Sequence, residues 1–106
     1  VAHPPPASAA SMSAWNKVAD CESGVRKNGK PVPGSARWNL PEGHASSTGG
    51  LQIQQPTWVD FGGLKYAQQP HQATKAEQIK IAEKIVDEQG NTAWTCAISQ
   101  GVNLKG

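Results

Sequence analysis

An amphipathic helix is indicated between Thr74 and Gln89, and it limits the folds that the chain can adopt. Thr74 and Glu77 have the spacing of a capping box, in which each side chain accepts a hydrogen bond from a backbone N–H at the helix start. Gly90 is placed to end the helix. At about 100° per residue, apolar side chains fill an arc of about 120°, which the rest of a folded domain must cover. The arc holds Ile79, Ala82, Ile85 and Val86, and the amides of Gln78 and Gln89 also fall within it.

Length and composition limit that domain to a small, loop-rich one. The chain has 106 residues, which is the size of a single domain. Hydrophobic residues make up 37% of it, and 11 glycines and 8 prolines indicate a modest core with long turns. The net charge of +2 is too small for the basic stripe typical of nucleic-acid-binding domains, so no nucleic-acid partner is expected.

Shorter helices and an extended segment complete the predicted secondary structure. Three further helices are predicted, over 13–23, 55–61 and 91–98. The last of them has Asn91 as its cap. Segment 49–54 alternates apolar and polar residues after a glycine pair, which predicts a short strand or extended segment with Leu51 and Ile53 inward. The predicted fold class is a mostly helical α+β domain with one short strand or hairpin.

The chain is predicted to hold one folded unit between two irregular ends. Residues 1–12, rich in Pro, Ala and Ser, are expected to be a flexible leader, and 101–106 a C-terminal tail. The domain then covers 13–100, with 25–48 as a long loop. No apolar run is long enough to span a membrane and no intact signal peptide is present, which leaves open a processed secreted chain.

The two cysteines, Cys21 and Cys96, allow two interpretations. They can form a disulfide, which would stabilise the fold by about 4 to 5 kcal/mol in the chain-entropy model and would indicate an oxidising compartment. Alternatively, they are unrelated buried thiols of a cytosolic protein. No CxxC pair is present, and His3, His44 and His71 are scattered over Pro-rich or Gln-rich stretches, so no metal site is expected.

Glu22 is the acid whose position is most informative. It lies on the apolar stripe at the C-terminal end of the first predicted helix. Burial and the negative end of the helix dipole both disfavour a carboxylate there, so its pKa is expected to be raised. An acid that keeps its proton in weakly acidic solution suits general acid catalysis. The alternative from position alone is a helix-end glutamate that turns to solvent.

An ordered series of short motifs surrounds Glu22 and extends over most of the chain. The series consists of Trp15–Gly24, Trp38-Asn39, Gly49–Ile53, Thr57-Trp58, Gly62-Gly63, Tyr66-Ala67, Ala73-Thr74, Gln78–Glu83, Gln89-Gly90 and Ala93-Trp94 with Cys96. In this order the motifs resemble the catalytic domain of the resuscitation-promoting factors, secreted actinobacterial proteins of lysozyme-like fold. Each motif alone is unspecific, but the whole series is specific.

The resemblance implies roles for several residues. Glu22 matches the catalytic glutamate, which protonates the glycosidic oxygen between N-acetylmuramic acid and N-acetylglucosamine in peptidoglycan. Cys21 and Cys96 match a disulfide that joins the first and last helices. The residues expected in or near the saccharide cleft are Thr57, Gln89, Gln52 and Trp58. For Gln89, the alternative is a core amide whose hydrogen bonds go to the backbone.

The four tryptophans divide into two pairs. Trp15 and Trp94 lie in helical stripes and are predicted to be core residues. Trp38 and Trp58 have two interpretations. They are either core residues as well or apolar walls of the cleft, since sugar rings stack on indole faces through their C–H sides.

A second catalytic carboxylate is not evident. Asp20 points to the other side of its helix, and Asp60 is the one other acid in a matched cleft segment. A single-acid mechanism without a cofactor is therefore expected. Glu22 donates a proton, the substrate's N-acetyl group assists at the anomeric carbon, and Glu22 then activates water or the muramic acid 6-hydroxyl. The first outcome is hydrolysis and the second lytic transglycosylation, and both stay open.

The resemblance thus implies a secreted, cell-wall-associated bacterial muralytic enzyme. It is expected to be a monomer that acts on peptidoglycan glycan strands, with a cell-wall peptidase as a further partner. The alternative is a non-catalytic peptidoglycan-binding or signalling module of the same fold. A third interpretation is a small disulfide-bonded interaction protein.

The chain departs from the family between Glu22 and Gly49, where inserted residues move the expected tryptophan to position 38. Four of the ten basic residues and no acid lie within 25–37. This segment predicts a mobile basic flap that attracts the anionic cell wall, and the alternative is a solvated loop with incidental charge. The four basic residues are Arg26, Lys27, Lys30 and Arg37.

Overall fold

The first helix begins earlier than the sequence pattern predicts. The computed structural model describes residues 11–105, so most of the predicted flexible leader, 1–10, lies outside the described range. Helix α1 (Met12–Ser23) starts inside that leader. Ser11 caps it, because the Ser11 Oγ accepts a hydrogen bond from the N–H of Ala14 at 3.2 Å. Both described residues of the predicted leader therefore belong to the helix or its cap.

Three more helices lie close to their predicted positions. They are α2 (Gln55–Asp60), α3 (Lys75–Gln89) and α4 (Thr95–Ser99). The capping box of α3 is present, since the Thr74 hydroxyl accepts from the N–H of Glu77 at 3.1 Å and the Glu77 carboxylate accepts from the N–H of Thr74 at 2.9 Å. Between residues 11 and 105, no helix is long and apolar enough to cross a membrane.

The last predicted helix is divided in two. A 3-10 turn (Asn91–Ala93) precedes α4, and Trp94 between them has an extended backbone. Asn91 does not cap the turn. Its Oδ1 accepts from the N–H of Leu104 at 2.6 Å and its Nδ2 donates to the carbonyl of Val102 at 3.1 Å. Leu104 is fully buried, so the predicted tail is held against the core there.

Two short antiparallel hairpins contain the strands. β1 (Arg26–Lys27) pairs with β2 (Lys30–Pro31) across Asn28-Gly29, where both residues have positive φ, as a type I′ turn requires. β3 (Ser47–Thr48) pairs with β4 (Ile53–Gln54). Only the last two residues of the predicted extended segment are strand, because the preceding four form the turn between β3 and β4. Leu51 and Ile53 are both buried, as predicted.

One cluster of buried side chains joins all four helices. The apolar arc of α3 is buried along its length, which confirms the periodicity. The rings of Trp15 and Trp94 meet edge to face with centroids 5.6 Å apart, and both are core residues as predicted. The mostly helical α+β class is confirmed. The largest fully buried side chains include Trp15, Trp58, Leu51, Ile81 and Leu104.

The disulfide predicted from the family resemblance is present. Cys21 and Cys96 are bonded, with their Cα atoms 5.9 Å apart across a sequence separation of 75 residues. The bond joins the last turn of α1 to α4. Of the two interpretations of the cysteines, the disulfide is therefore correct.

Gln78 explains why an amide lies on the apolar arc of α3. It is fully buried, and its Oε1 accepts from the N–H of Gly50 at 2.9 Å. Its Nε2 donates to the carbonyls of Trp38 and Ala73 at 2.8 and 3.0 Å. Gly49, the residue before Gly50, has φ +83°, and a Cβ there would lie 2.5 Å from Gln78 Oε1. One buried amide thus ties three loops to α3.

Polar side chains of α1 hold the inserted segment. The Asp20 carboxylate accepts hydrogen bonds from the N–H groups of Gly34 and Ala36, both at 3.0 Å. The Ser23 Oγ accepts from the N–H of Arg37 at 2.9 Å. Asp20 and Ser23 are both buried. A flap that moved as a whole would have to break these bonds, so residues 34–37 are the fixed base of the segment.

Candidate active site

Glu22 lies in the last turn of α1, directly after the disulfide-bonded Cys21. Its side chain is half-buried. Burial raises the pKa of the Glu22 carboxyl above its ordinary value, and the positive charge of Arg26 opposes this as the smaller effect. Glu22 is therefore a partly desolvated acid, as predicted, and not a solvated helix end.

Glu22 lines an open cleft of about 730 Å³, a volume within the range of ligand-binding sites. Two groups of lining residues carry most of its polar chemistry. The first, called the helical set, comes from the helices and their ends and contains Glu22, Thr57, Gln89 and Trp94. The second, called the loop set, comes from the inserted segment and contains Arg37, Glu42, Gly43 and His44. Residues of the helices and residues of the long loop thus meet in one cleft.

Three of the predicted saccharide-binding residues line this cleft. Thr57 lies in α2, and Gln89 is the last residue of α3, with an exposed side chain. The alternative interpretation of Gln89, a core amide bonded to the backbone, is therefore wrong. Gln52 is half-buried in the turn between β3 and β4. The structure brings these residues together with Glu22, and their contact with a saccharide stays a prediction.

Gln52 also holds the loop set to the turn between β3 and β4. Its φ is +52°, an uncommon conformation for a residue other than glycine. Its Nε2 donates to the carbonyls of Glu42 and Gly49, both at 3.1 Å. The amide hydrogens are therefore used inside the protein, and the amide oxygen packs against Gly43, where a Cβ would lie 1.6 Å from it. Strained residues of this kind cluster at functional sites.

Trp58 does not line the cleft. It is fully buried in α2, its Nε1 donates to the carbonyl of Ala67 at 2.9 Å, and Gly63 packs directly on its ring. No indole face is free for a sugar. The stacking interpretation of Trp58 is therefore wrong and its core interpretation is correct, because α2 turns only one side toward the cleft and Thr57 occupies it.

Trp38 also lies away from the Glu22 cleft. It is half-buried and lines a separate groove with Asp20, Pro33 and Lys75. The Nζ of Lys75 lies 5.1 Å from the centroid of the Trp38 ring, and a cation at this distance is attracted to an aromatic face. The predicted role of Trp38 as a wall of the catalytic cleft is therefore wrong. The tryptophan that lines the cleft is Trp94, predicted only as a core residue.

The carboxylates are also arranged differently from the prediction. Asp60 is exposed at the end of α2 and does not line the cleft. Asp20 points away from it, as predicted, and holds the inserted segment. Glu42 is the second acid of the cleft, and the sequence analysis missed it. The signal that could have revealed it is its place in the segment that borders the cleft in the family.

No metal site is evident in the part of the chain that the structure describes. Within 11–105, no three His, Cys, Asp or Glu side chains are grouped as metal ligands would be. His44 is exposed and lines the cleft, and His71 is half-buried on another turn.

A desolvated acid in an open, polar cleft is the arrangement of a glycosidase-type active site. Residues 9–97 match the profile of the transglycosylase-like domain, and the chain belongs to this family.

Known proteins agree with the resemblance seen in the sequence. The chain is 38% identical over 100 residues to resuscitation-promoting factor Rpf1 of Corynebacterium glutamicum. This match covers 93% of this chain and 46% of that protein. It is 40% identical over 89 residues to Rpf of Micrococcus luteus, covering 84% and 33%. It is 34% identical over 91 residues to RpfC of Mycobacterium tuberculosis, covering 85% and 54%. The chain thus spans about half or less of these relatives.

Proposed function

We propose that this domain cleaves the β-1,4 bond between N-acetylmuramic acid and N-acetylglucosamine in peptidoglycan, with Glu22 as general acid and base. The observation that carries the proposal is the half-buried Glu22 in a cleft of saccharide size. The domain's family and its similarity to resuscitation-promoting factors support it. The disulfide supports a secreted, cell-wall-associated protein. A monomer that works with a cell-wall peptidase is part of the same proposal.

The mechanism uses the two protonation states of Glu22 in turn. The protonated carboxyl donates its proton to the glycosidic oxygen, and the bond from that oxygen to the anomeric carbon breaks. The carbonyl oxygen of the substrate's own N-acetyl group bonds to the anomeric carbon and replaces the leaving oxygen. The Glu22 carboxylate then takes a proton from the incoming hydroxyl, whose oxygen bonds to the anomeric carbon as the N-acetyl oxygen leaves it. In this proposal the sugar rings are held by Thr57, Gln89 and Gln52, which line the same cleft as Glu22.

The incoming hydroxyl decides the reaction class. Water gives hydrolysis, and the muramic acid 6-hydroxyl gives lytic transglycosylation. Glu42 supports the hydrolytic outcome, because it is a second carboxylate on the same cleft. Mass spectrometry of the products separates the two, since reducing ends indicate hydrolysis and anhydromuropeptides indicate transglycosylation. If Glu42 activates water, Glu42→Gln reduces the fraction of reducing ends.

The decisive test is replacement of the acid. Glu22→Gln keeps the shape of the side chain and removes its acidic proton, so release of soluble muropeptides should fall by at least about 100-fold. Glu83→Gln is a matched control. Burial also raises the pKa of Glu83, but this residue lies on α3 and does not line the cleft. Equal activity of the Glu22 variant and the wild type would overturn the proposal.

A non-catalytic peptidoglycan-binding module is the second candidate. It is favoured by the loop set, since Glu42, Gly43 and His44 line the cleft beside Glu22 and offer polar contacts that need no reaction. Its signature is retention on insoluble peptidoglycan with no muropeptide released by the wild type.

A further inference from the structure

Arg37 is the one Lys or Arg side chain of residues 11–105 that lines the Glu22 cleft. The other basic residues of its segment do not line it, although Arg26 is near enough to act on the Glu22 carboxyl. The positive charge of the inserted segment is therefore not spread evenly. One guanidinium is placed where a substrate of the cleft would meet it.

The position of Arg37 is coupled to that of Glu22. Its backbone N–H donates to the Ser23 Oγ at 2.9 Å, and its Nε donates to the Ser23 carbonyl at 2.7 Å. Ser23 directly follows Glu22 and is almost fully buried. Because both bonds end on the same buried residue, the base of the guanidinium is held at a set place beside the acid.

The outer part of this guanidinium has no partner in the described protein. Among residues 11–105, no acceptor takes the four Nη hydrogens of Arg37, and its Nε bond goes to a neutral carbonyl. Arg37 therefore presents to the cleft a positive charge and a planar pair of donors, a shape that matches a carboxylate.

We propose that Arg37 binds a carboxylate of the glycan substrate and so sets which muramic acid residue is placed at Glu22. The proposal rests on the proposed function of the cleft. Two parts of peptidoglycan carry such a group, namely the lactyl carboxyl of a muramic acid without peptide and the carboxylates of the stem peptide. Arg37 is thus a specificity-determining residue. A glycan without a carboxylate binds to the cleft without using Arg37.

The test measures binding in the Glu22→Gln background, so that no substrate is consumed. Three soluble probes of equal chain length are compared: glycan strands stripped of peptide, strands with stem peptides, and stripped strands whose lactyl carboxyls are capped as methylamides. Arg37→Gln should weaken binding of a carboxylate-bearing probe by about 10- to 100-fold and leave the capped probe unchanged. Arg37→Lys should restore part of the loss, because it keeps the charge and loses the planar fork.

Lys80→Gln is the matched control. It removes one positive charge from an exposed position of α3 that does not line the cleft, so it reports general electrostatic attraction alone. A loss confined to the stripped probe supports the lactyl carboxyl, and a loss confined to the peptide-bearing probe supports the stem peptide. Equal losses for the capped and uncapped strands, or no loss for either carboxylate probe, would overturn the proposal.

The proposal and the catalytic assignment can fail separately. If Arg37→Gln shows the carboxylate-dependent loss while wild-type protein releases no muropeptides, only the catalytic function is wrong. If the wild type cleaves peptidoglycan and Arg37→Gln binds and cleaves every probe equally well, only the role of Arg37 is wrong. If the Glu22→Gln parent binds none of the three probes and the wild type releases no muropeptides, both are wrong.

Discussion

The helical set and the loop set line the same cleft but are held by different forces. Trp94 of the helical set is buried in the core, and Glu22 follows a cysteine bonded to α4. The loop set lies in a segment that is attached to α1 through Asp20 and Ser23. The first set depends on apolar burial and a covalent bond, and the second depends on a few polar side chains.

This difference separates two functions of the cleft. The acid and the proposed sugar contacts lie on the helices and on the turns packed against the core. The charged groups that could select among substrates lie on the inserted segment.

Removal of the disulfide should have the largest effect on the helical set. Cys21→Ala combined with Cys96→Ala frees a loop of 75 residues and should lower the free energy of unfolding by about 4 to 5 kcal/mol in the chain-entropy model. Urea denaturation measures this change. Because such a loss is close to the whole stability of a small domain, the variant should be largely unfolded at 37 °C. A loss below about 1 kcal/mol would show that the core alone holds α1 to α4.

Replacement of Asp20 should release the loop set and leave the helical set in place. Asp20→Ala removes two hydrogen bonds to a charged acceptor, so the local opening free energy should fall by about 2 to 3 kcal/mol. Hydrogen exchange of the Gly34 and Ala36 amides should speed up, with α3 unchanged. Asp60→Ala, which removes an exposed carboxylate, is the control. Faster exchange throughout the core would contradict the separate attachment of the two sets.

Replacement of the acid should also stabilise the fold at neutral pH. The folded state raises the pKa of Glu22, so the stabilising contribution of this group is fully present below its unfolded pKa and is lost as pH rises through the folded pKa. Glu22→Gln should therefore have a higher Tm than the wild type near pH 7, with the difference vanishing below about pH 4. Thermal melts across this range test it, with the exposed Glu88→Gln as control. A lower Tm near pH 7 would contradict the desolvation of Glu22.

The smallest expected effect is a change in pH dependence that connects Glu22 of the helical set to Arg26 of the inserted segment. Arg26 lowers the pKa of Glu22, so Arg26→Gln should raise it and move the alkaline limb of the pH–activity profile to higher pH. The maximal rate should stay close to that of the wild type. Lys27→Gln removes the next charge along β1 and should move the limb less. A shift of the limb to lower pH would show that the contact of Arg26 with Glu22 is not electrostatic.

Sequence reasoning succeeded where the structure follows from local pattern. The α3 helix, its capping box and the buried Ile79 and Ile85 were all predictable, because helix periodicity and caps depend on residues a few positions apart. The raised pKa of Glu22 followed from its place on an apolar stripe at a helix end. The disulfide was predictable only from the family resemblance, since two cysteines alone left both interpretations open.

Predictions failed where the outcome depends on contacts between distant residues. Trp38 and Trp58 carry the same side chain as Trp94, yet only Trp94 lines the cleft, because packing against Gly50, Gly63 and neighbouring turns decides which ring is covered. Asn91 was expected to cap a helix and instead binds the chain at Leu104. Such outcomes have no local sequence signal.

The sequence by itself determined the helices, most of the core, the family and the catalytic candidate Glu22. These follow from periodicity, capping and an ordered series of motifs, which are properties of neighbouring residues. The tertiary structure decided which acid accompanies Glu22, namely Glu42 and not Asp60, and which of the four cations of the inserted segment lines the cleft, namely Arg37. Hydrogen bonds from Asp20 and Ser23 place that segment, and such bonds are directional contacts between residues that only the folded chain brings together.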